Sequence, residues 1–134
     1  MKVICRDYSR VYYRKTGAAL PDIIEGKFVQ IIKVFAEENL VFSPKDVSPY
    51  HADIVRRFCA EHGIPGVYNN TLKRFDIHEP EWTVVGGGKF AIDRRKKQLR
   101  LYDDSMAYGK FNGHGLKEKI LSISAFSGYN VQIE

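Results

Sequence analysis

The stretch WTVVGGGKFAIDRRKKQLRLY, residues 82–102, contains the clearest fold signal in this chain of 134 residues. It begins with a short apolar strand over 82–85, and three glycines then lead into a second strand segment over 89–92. A basic turn at 94–97 separates this segment from another short run over 99–102. Apolar residues occupy alternate positions on both sides of the turn, as is typical of a β-hairpin. The stretch therefore predicts a β-hairpin that contributes to a sheet.

On either side of this hairpin the sequence predicts two helices and two further strands. Residues 27–35 are rich in β-branched and aromatic types, as expected for a central strand. A helix follows, with Ser48 as its cap and Gly63 as its stop, because apolar residues between them repeat at helical spacing. A second helix is predicted at about 115–122, and a strand over 129–133 closes the chain.

The segments between these elements contain loop signals. Residues 16–26 and 37–49 are predicted to be irregular, and the second of these segments holds two Ser-Pro pairs. Residues 64–81 form a long excursion with Gly, Pro and Asn, which has room for one short strand over 72–77. The order of elements indicates one domain over residues 1–134, an α/β sandwich built on a mixed β-sheet.

Composition places few limits on the partners of this chain. Lysine and arginine total 21 against 16 acidic residues, so the formal charge is +5 and the surface should attract anions in general. No stretch approaches the roughly 20 apolar residues of a membrane helix, and no secretion-signal pattern is visible. Cys5 and Cys59 lack metal-ligand spacing. These features favour a reduced, cytoplasmic protein with no membrane partner. We expect a monomer, although no sequence feature determines the oligomeric state.

Three features could support chemistry: His51 in the first turn of a predicted helix, Gly86–Lys89, and Ser105–Gly109 just after a strand. Each has a plain structural explanation when it is taken alone. A histidine near a helix start can be a cap or a surface group, and a run of glycines can mark a bulge or a tight turn. None of the three identifies a function by itself.

Taken together, these segments resemble the motif series of the janus/phosphohistidine phosphatase family, in the family's order. The matching segments are Tyr50–Ile54, Gly86–Lys89, Lys97–Tyr102 and Ser105–Gly109, with His114 shortly after them. The resemblance spans about residues 26–133. It implies a mixed β-sheet flanked by two helices, and hydrolysis of the P–N bond of phosphohistidine in proteins without a metal or other cofactor.

The resemblance also implies a set of site residues. His51 matches the family's catalytic histidine. The implied phosphate- and substrate-binding residues are Ser105, Met106, Ala107, Lys89, Lys27, Gly87 and Gly88. Lys89 falls where the family usually has arginine, a change that keeps the charge but loses the bidentate fork. No metal ligand belongs to the set.

The chain departs from the family's pattern in three further places. The lysine that the family carries on its first strand is offered here by Lys27, about one position out of register. The arginine that the family carries ahead of the histidine falls near Ser43, and Lys45 is a candidate to replace its charge. The excursion over 64–81 is longer than is usual in the family. Substrate choice could therefore differ from the family's.

The chemistry of these residues agrees with the resemblance. Consecutive backbone N–H groups at 105–107, together with the Ser105 hydroxyl, could form an anion-binding nest, and Lys89 would add a positive charge. His51 lies in the positive half of its helix, which favours a neutral ring near neutral pH. Such a ring can act as a general base toward water or as a nucleophile that is transiently phosphorylated. The sequence leaves both roles open.

Other functions also remain open. The chain could be a module that binds phosphorylated or acidic partners without turnover. It could instead bind nucleic acid through residues 94–97, with Tyr102 and Phe111 nearby, although a basic turn is usually only a solvated tip. The resemblance favours phosphohistidine-containing proteins as partners over nucleic acid. The sequence has no Cys-x5-Arg loop, no carboxylate pattern suited to two metals and no Walker lysine loop, so the phosphate chemistry expected here is metal-free.

Overall fold

The structure, a computed structural model, describes residues 1–134 and contains eight β-strands and three α-helices. Along the chain these are β1 (Lys2–Asp7), α1 (Ser9–Thr16), β2 (Ile23–Lys33), β3 (Glu37–Pro44), α2 (His51–His62), β4 (Gly66–Asn69), β5 (Arg74–Ile77), β6 (Trp82–Asp93), β7 (Gln98–Tyr102), α3 (Leu116–Leu121) and β8 (Asn130–Ile133). A short 3-10 turn over Ser124–Phe126 precedes the last strand. The longest helix has 12 residues, and none has the length and apolar composition of a membrane-spanning segment.

Six of the strands form one mixed sheet in the order β1-β3-β2-β6-β7-β8. The long strands β2 and β6 pair antiparallel with each other, and β2 also pairs antiparallel with β3. The edge strands β1 and β8 pair in parallel with β3 and β7, respectively. The α/β class, the mixed sheet and the β6–β7 hairpin predicted from the sequence are therefore confirmed.

The two central strands are longer than the sequence predicts. β2 begins at Ile23, within a segment predicted as loop. In β6 the three glycines lie inside the strand, so two segments predicted separately join into one strand of 12 residues. The pairing of β6 with β2 shifts register between Gln30 and Ile31, which marks a β-bulge immediately before the glycines.

Three helices accompany the sheet, which corrects the expectation of two. The unpredicted elements are α1, β1, β3 and β4. The start of β3 is polar in sequence, yet Glu38 and Asn39 are buried. Gln30 and Lys119 each donate a hydrogen bond of 3.0 Å to the Glu38 carboxylate, and Arg6 donates one of 3.0 Å to Asn39. Because these partners satisfy the buried polar groups, the strand begins at polar residues ahead of the apolar run Leu40–Phe42.

The sequence predicts that helix α2 starts directly after Ser48. In the structure it begins at His51. The Ser48 hydroxyl lies 2.8 Å from the Ser43 hydroxyl and does not cap the helix. Tyr50 is the N-cap residue, and its N–H donates to the Asp53 carboxylate at 3.1 Å. A carboxylate in the first turn also stabilises the helix dipole. His51 is therefore the first helical residue.

Apolar side chains pack on both faces of the sheet. On one face, α3 covers a buried cluster in which the Phe42 ring lies 5.7 Å from Phe28 and 5.0 Å from Phe90, measured between ring centres. On the other face, α2 packs Ile54 and Phe58, four residues apart, against β2 and β3. This packing fixes the N-terminal end of α2 above the glycines of β6.

The excursion over 64–81 folds into a separate two-stranded antiparallel sheet formed by β4 and β5. The short strand predicted over 72–77 corresponds to β5, and β4 is an additional strand. Phe75 is buried and belongs, with Ile64, to the same apolar cluster as α2. The excursion is therefore attached to the helix that begins at His51.

Candidate active site

A cleft of about 490 Å³ brings together most of the residues that the sequence singled out. Its walls are formed by Lys27 and Lys89 from the sheet, Tyr50 and His51 from the start of α2, residues 103–107 after β7, and residues 71–73 at the tip of the β4–β5 hairpin. The predicted site residues that line it are His51, Ser105, Met106, Ala107, Lys89 and Lys27. Gly87 and Gly88 do not line it.

His51 is held against the sheet and is 8% exposed. Its Nε2 atom lies 2.8 Å from the carbonyl oxygen of Gly88. A carbonyl oxygen can only accept a hydrogen bond, so Nε2 carries the proton of the neutral ring. The unprotonated nitrogen is then Nδ1, which is the atom available to act as a base or a nucleophile.

The glycines of β6 allow the sheet to approach this ring closely. A Cβ atom added at Gly87 would lie 2.8 Å from Cδ2 of His51 and 2.7 Å from the Phe28 carbonyl oxygen. One added at Gly88 would lie 2.5 Å from the Tyr102 carbonyl oxygen. Both distances to oxygen are shorter than van der Waals contact allows, so only glycine fits. Gly87 and Gly88 therefore lie beneath the histidine and position it.

Burial holds the pKa of His51 below its ordinary value of 6.5. The positive charge of Lys27 lowers this pKa further, whereas the hydrogen bond to Gly88 and the carboxylates of Asp103 and Asp104 raise it. Because pH 7 lies above the resulting pKa, the neutral ring predominates at that pH.

We expect Lys27→Met to raise the pKa of His51, because it removes a positive charge that disfavours the imidazolium. Asp104→Asn should lower the same pKa, because it removes a negative charge. NMR titration of the His51 ring protons measures both shifts, and Lys96→Met, at the solvated β6–β7 turn, is the control that should leave the pKa unchanged. Shifts of equal sign in Lys27→Met and Asp104→Asn would contradict this electrostatic picture.

The loop after β7 presents free backbone donors to the cleft. The N–H groups of Met106 and Ala107 donate no hydrogen bond within the protein. The Ser105 N–H, which the predicted nest included, donates to the Gly109 carbonyl at 3.1 Å and is not available to an anion. The Ser105 hydroxyl oxygen accepts from the Tyr108 N–H at 3.1 Å and keeps its own proton to donate. The nest therefore consists of two N–H groups and one hydroxyl.

Two lysines on adjacent strands add positive charge to this nest. Lys27 and Lys89 are directly paired across β2 and β6, so both side chains project from the face that α2 covers. The Lys27 ammonium donates to the Pro49 carbonyl. The Lys89 ammonium lies 3.1 Å from the Asp103 carboxylate and lowers the pKa of that group through their hydrogen bond. An anion that binds Lys89 must therefore compete with Asp103.

The structure supplies a further cation that sequence reasoning missed. Lys45, the candidate to replace the missing arginine, lies in a separate depression beside Glu25 and Asp46 and does not line the cleft. Ser43 is buried. The third lysine of the cleft is Lys73, which the β4–β5 hairpin carries. No local signal in the excursion marks it, because its position depends on how the hairpin packs on α2.

Two of the residues considered for nucleic-acid binding, Phe111 and Arg94, are engaged within the protein. Phe111 is 4% exposed and belongs to the core cluster, so it cannot stack on a base. Arg94 donates to the carbonyl oxygens of Leu20 and Pro21, both at 3.1 Å.

The chain has no group of three or more His, Cys, Asp or Glu side chains that could hold a metal ion.

Comparison with known proteins agrees with the arrangement of these motifs. The model of the Janus/Ocnus family (Ocnus) matches residues 25–130, a range that runs from β2 to the first residue of β8. A search of the curated proteins finds no match. The matched range includes His51, the glycines of β6 and the 105–109 loop, and it covers well over half of the chain. The chain therefore belongs to the Janus/Ocnus family.

Proposed function

We propose that this protein hydrolyses phosphohistidine in other proteins, with His51 as its catalytic residue. The observation that best supports the proposal is the fixed ring of His51. Nε2 donates its proton to the Gly88 carbonyl, so Nδ1 is unprotonated. The ring lines a cleft that also presents backbone N–H groups free to bind an anion. A neutral histidine beside backbone N–H groups and lysines suits phosphoryl transfer, in which the protein must activate a nucleophile and stabilise charge on oxygen.

In the simplest mechanism, Nδ1 of His51 removes a proton from a water molecule as the water oxygen attacks phosphorus. The P–N bond breaks, and the substrate imidazole leaves and takes up a proton, so the products are histidine and inorganic phosphate. The N–H groups of Met106 and Ala107, the Ser105 hydroxyl and Lys27 would bind the phosphoryl oxygens. An imidazole is a far better leaving group than a serine alkoxide, so one base and an anion site suffice for this bond.

A second mechanism uses the same atom. Nδ1 of His51 attacks phosphorus directly, the substrate imidazole leaves, and water then hydrolyses the phosphorylated His51. Rapid quenching at alkaline pH, where phosphohistidine survives, followed by mass spectrometry of the chain distinguishes the two. A phosphoryl group on the peptide that contains His51 supports the nucleophilic route.

A binding module without turnover is the second candidate, and one observation favours it. Lys89 is engaged by Asp103, so the cleft offers less free positive charge than the sequence suggests. Such a module would still bind a phosphorylated partner through Met106 and Ala107. It would release no phosphate.

The proposed activity predicts phosphate release from a peptide that contains phosphohistidine. Release should persist in EDTA, because every group assigned a role is a side chain or a backbone N–H of this chain. A phosphoserine peptide of the same sequence is the control and should release much less phosphate. Tight binding of the phosphohistidine peptide without release would favour the binding module, and restoration of a chelated enzyme by a divalent ion would contradict the metal-free mechanism.

A further inference from the structure

We infer that the β4–β5 hairpin is a recognition wall that selects phosphohistidines flanked in the polypeptide by an acidic and an apolar residue. This inference rests on the proposed function and names the substrate feature that the same cleft would recognise. The wall consists of Thr71–Lys73, the three residues of the hairpin that line the cleft.

The hairpin is a separate structural unit held in place at two points. Its strands pair only with each other and not with the main sheet. The first attachment is Phe75, which is buried in the cluster beneath α2. The second is the Tyr108 hydroxyl, which accepts from the Phe75 N–H and donates to the Phe75 carbonyl, both at 2.8 Å.

The second attachment connects the wall to the loop over 105–109. Burial raises the pKa of Tyr108, so its hydroxyl stays protonated and can donate to Phe75. The backbone N–H of the same tyrosine donates to the Ser105 hydroxyl at 3.1 Å. One residue therefore holds both the hairpin and the serine of the anion nest. The tip of the hairpin has a fixed place beside the site and is not a free surface loop.

The tip supplies an unpaired positive charge. Lys73 is exposed and has no carboxylate within salt-bridge distance, whereas Lys89 is engaged by Asp103. The Lys73 ammonium lies 5.5 Å from the centre of the Tyr50 ring, and the Lys27 ammonium lies 5.9 Å from the same ring. Attraction between the cations and this ring directs both lysines toward the cleft. A carboxylate next to the phosphohistidine would complement Lys73.

The cleft also exposes two apolar side chains to solvent. Met106 is fully exposed and Leu72 is 53% exposed, and both line the cleft. Exposed apolar residues grouped at a functional cleft indicate contact with a partner. The cleft volume of about 490 Å³ is that of a pocket for a whole small ligand and exceeds the need of one phosphoimidazole group. The remaining space suits the neighbouring residues of an extended polypeptide.

The test measures binding of a peptide that carries a non-hydrolysable phosphonate analogue of phosphohistidine between glutamate and leucine. Inorganic phosphate is the second probe. We expect Lys73→Asn and Leu72→Ser each to weaken peptide binding by about 10-fold, which corresponds to ~1.4 kcal/mol, and to change phosphate binding by less than about 2-fold. Asparagine suits Lys73 because this residue has a left-handed backbone, with φ of 49°.

Lys97→Asn is the matched control, because Lys97 is an exposed lysine with a left-handed φ of 52° in the other hairpin turn. It should leave both affinities unchanged. Replacing the peptide's glutamate with lysine should weaken binding to the wild type but not to Lys73→Asn. Unchanged peptide affinity in both variants, or an equal loss of phosphate affinity, overturns the recognition wall. A wild type that binds the analogue but releases no phosphate from phosphohistidine contradicts only the proposed function.

Discussion

His51→Ala should lower the rate of phosphohistidine hydrolysis by at least about 100-fold, because loss of a general base or nucleophile typically costs this much or more. Binding of inorganic phosphate should survive, since the N–H groups of Met106 and Ala107 do not depend on the ring. Phosphate release from a phosphohistidine peptide gives the rate, and NMR titration with phosphate gives the affinity. Added imidazole should restore part of the activity, because the cavity left by the ring opens toward the cleft.

His62→Ala is the matched control for this experiment. His62 lies at the other end of α2, and its Nδ1 atom also lies 2.8 Å from a backbone carbonyl, that of Phe58. His51→Ala removes the partner of the Gly88 carbonyl in a buried position and should cost about 1–3 kcal/mol of unfolding free energy. His62 is exposed, so His62→Ala should cost less. Only His51→Ala should abolish activity. Retention of more than about a tenth of wild-type activity would exclude His51 as the catalytic group.

The sequence predicted the elements whose apolar pattern is regular. The β6–β7 hairpin and α2 follow from alternation and helical spacing, because each buries one face on the core. Strand β3 was missed because its buried Glu38 and Asn39 are satisfied by side chains from distant parts of the chain. Such partners come together only in the folded protein. A pattern of single residues along the chain contains no trace of them.

In the candidate site, too, the sequence predicted the local motifs but not the contacts between distant residues. Its motifs fixed the place of His51 and of the loop over 105–109, since both are local stretches of sequence. The sequence did not predict two pairings within the site: the Lys89 ammonium pairs with the Asp103 carboxylate, and the Ser105 N–H donates to the Gly109 carbonyl. The largest omission is Lys73, which reaches the cleft only because Phe75 and Tyr108 attach the hairpin there. Long-range packing determined each of these features.

The close approach of β6 to His51 leads to the second large effect, which we expect from Gly87→Ala. The added methyl group would lie 2.8 Å from Cδ2 of His51 and 2.7 Å from the Phe28 carbonyl oxygen, so the ring must move away from Gly88. A displaced ring loses the hydrogen bond that fixes its tautomer, and activity should fall by about 100-fold or more, because small misplacements of a catalytic group have costs of this size. Gly113→Ala is the control, since its methyl would meet only side-chain atoms, the nearest at 3.2 Å.

Loss of activity in Gly87→Ala could also follow from general destabilisation, and a double-mutant cycle separates the two causes. Overpacking of this kind typically costs 1–3 kcal/mol of unfolding free energy. If part of that cost comes from contact with the His51 ring, Gly87→Ala should destabilise the His51→Ala protein less than the wild type, by on the order of 0.5 kcal/mol or more. Urea unfolding of the four proteins gives the coupling energy. Equal costs in both backgrounds would mean that the methyl group acts through Phe28 alone, and Gly87 would then have no part in positioning His51.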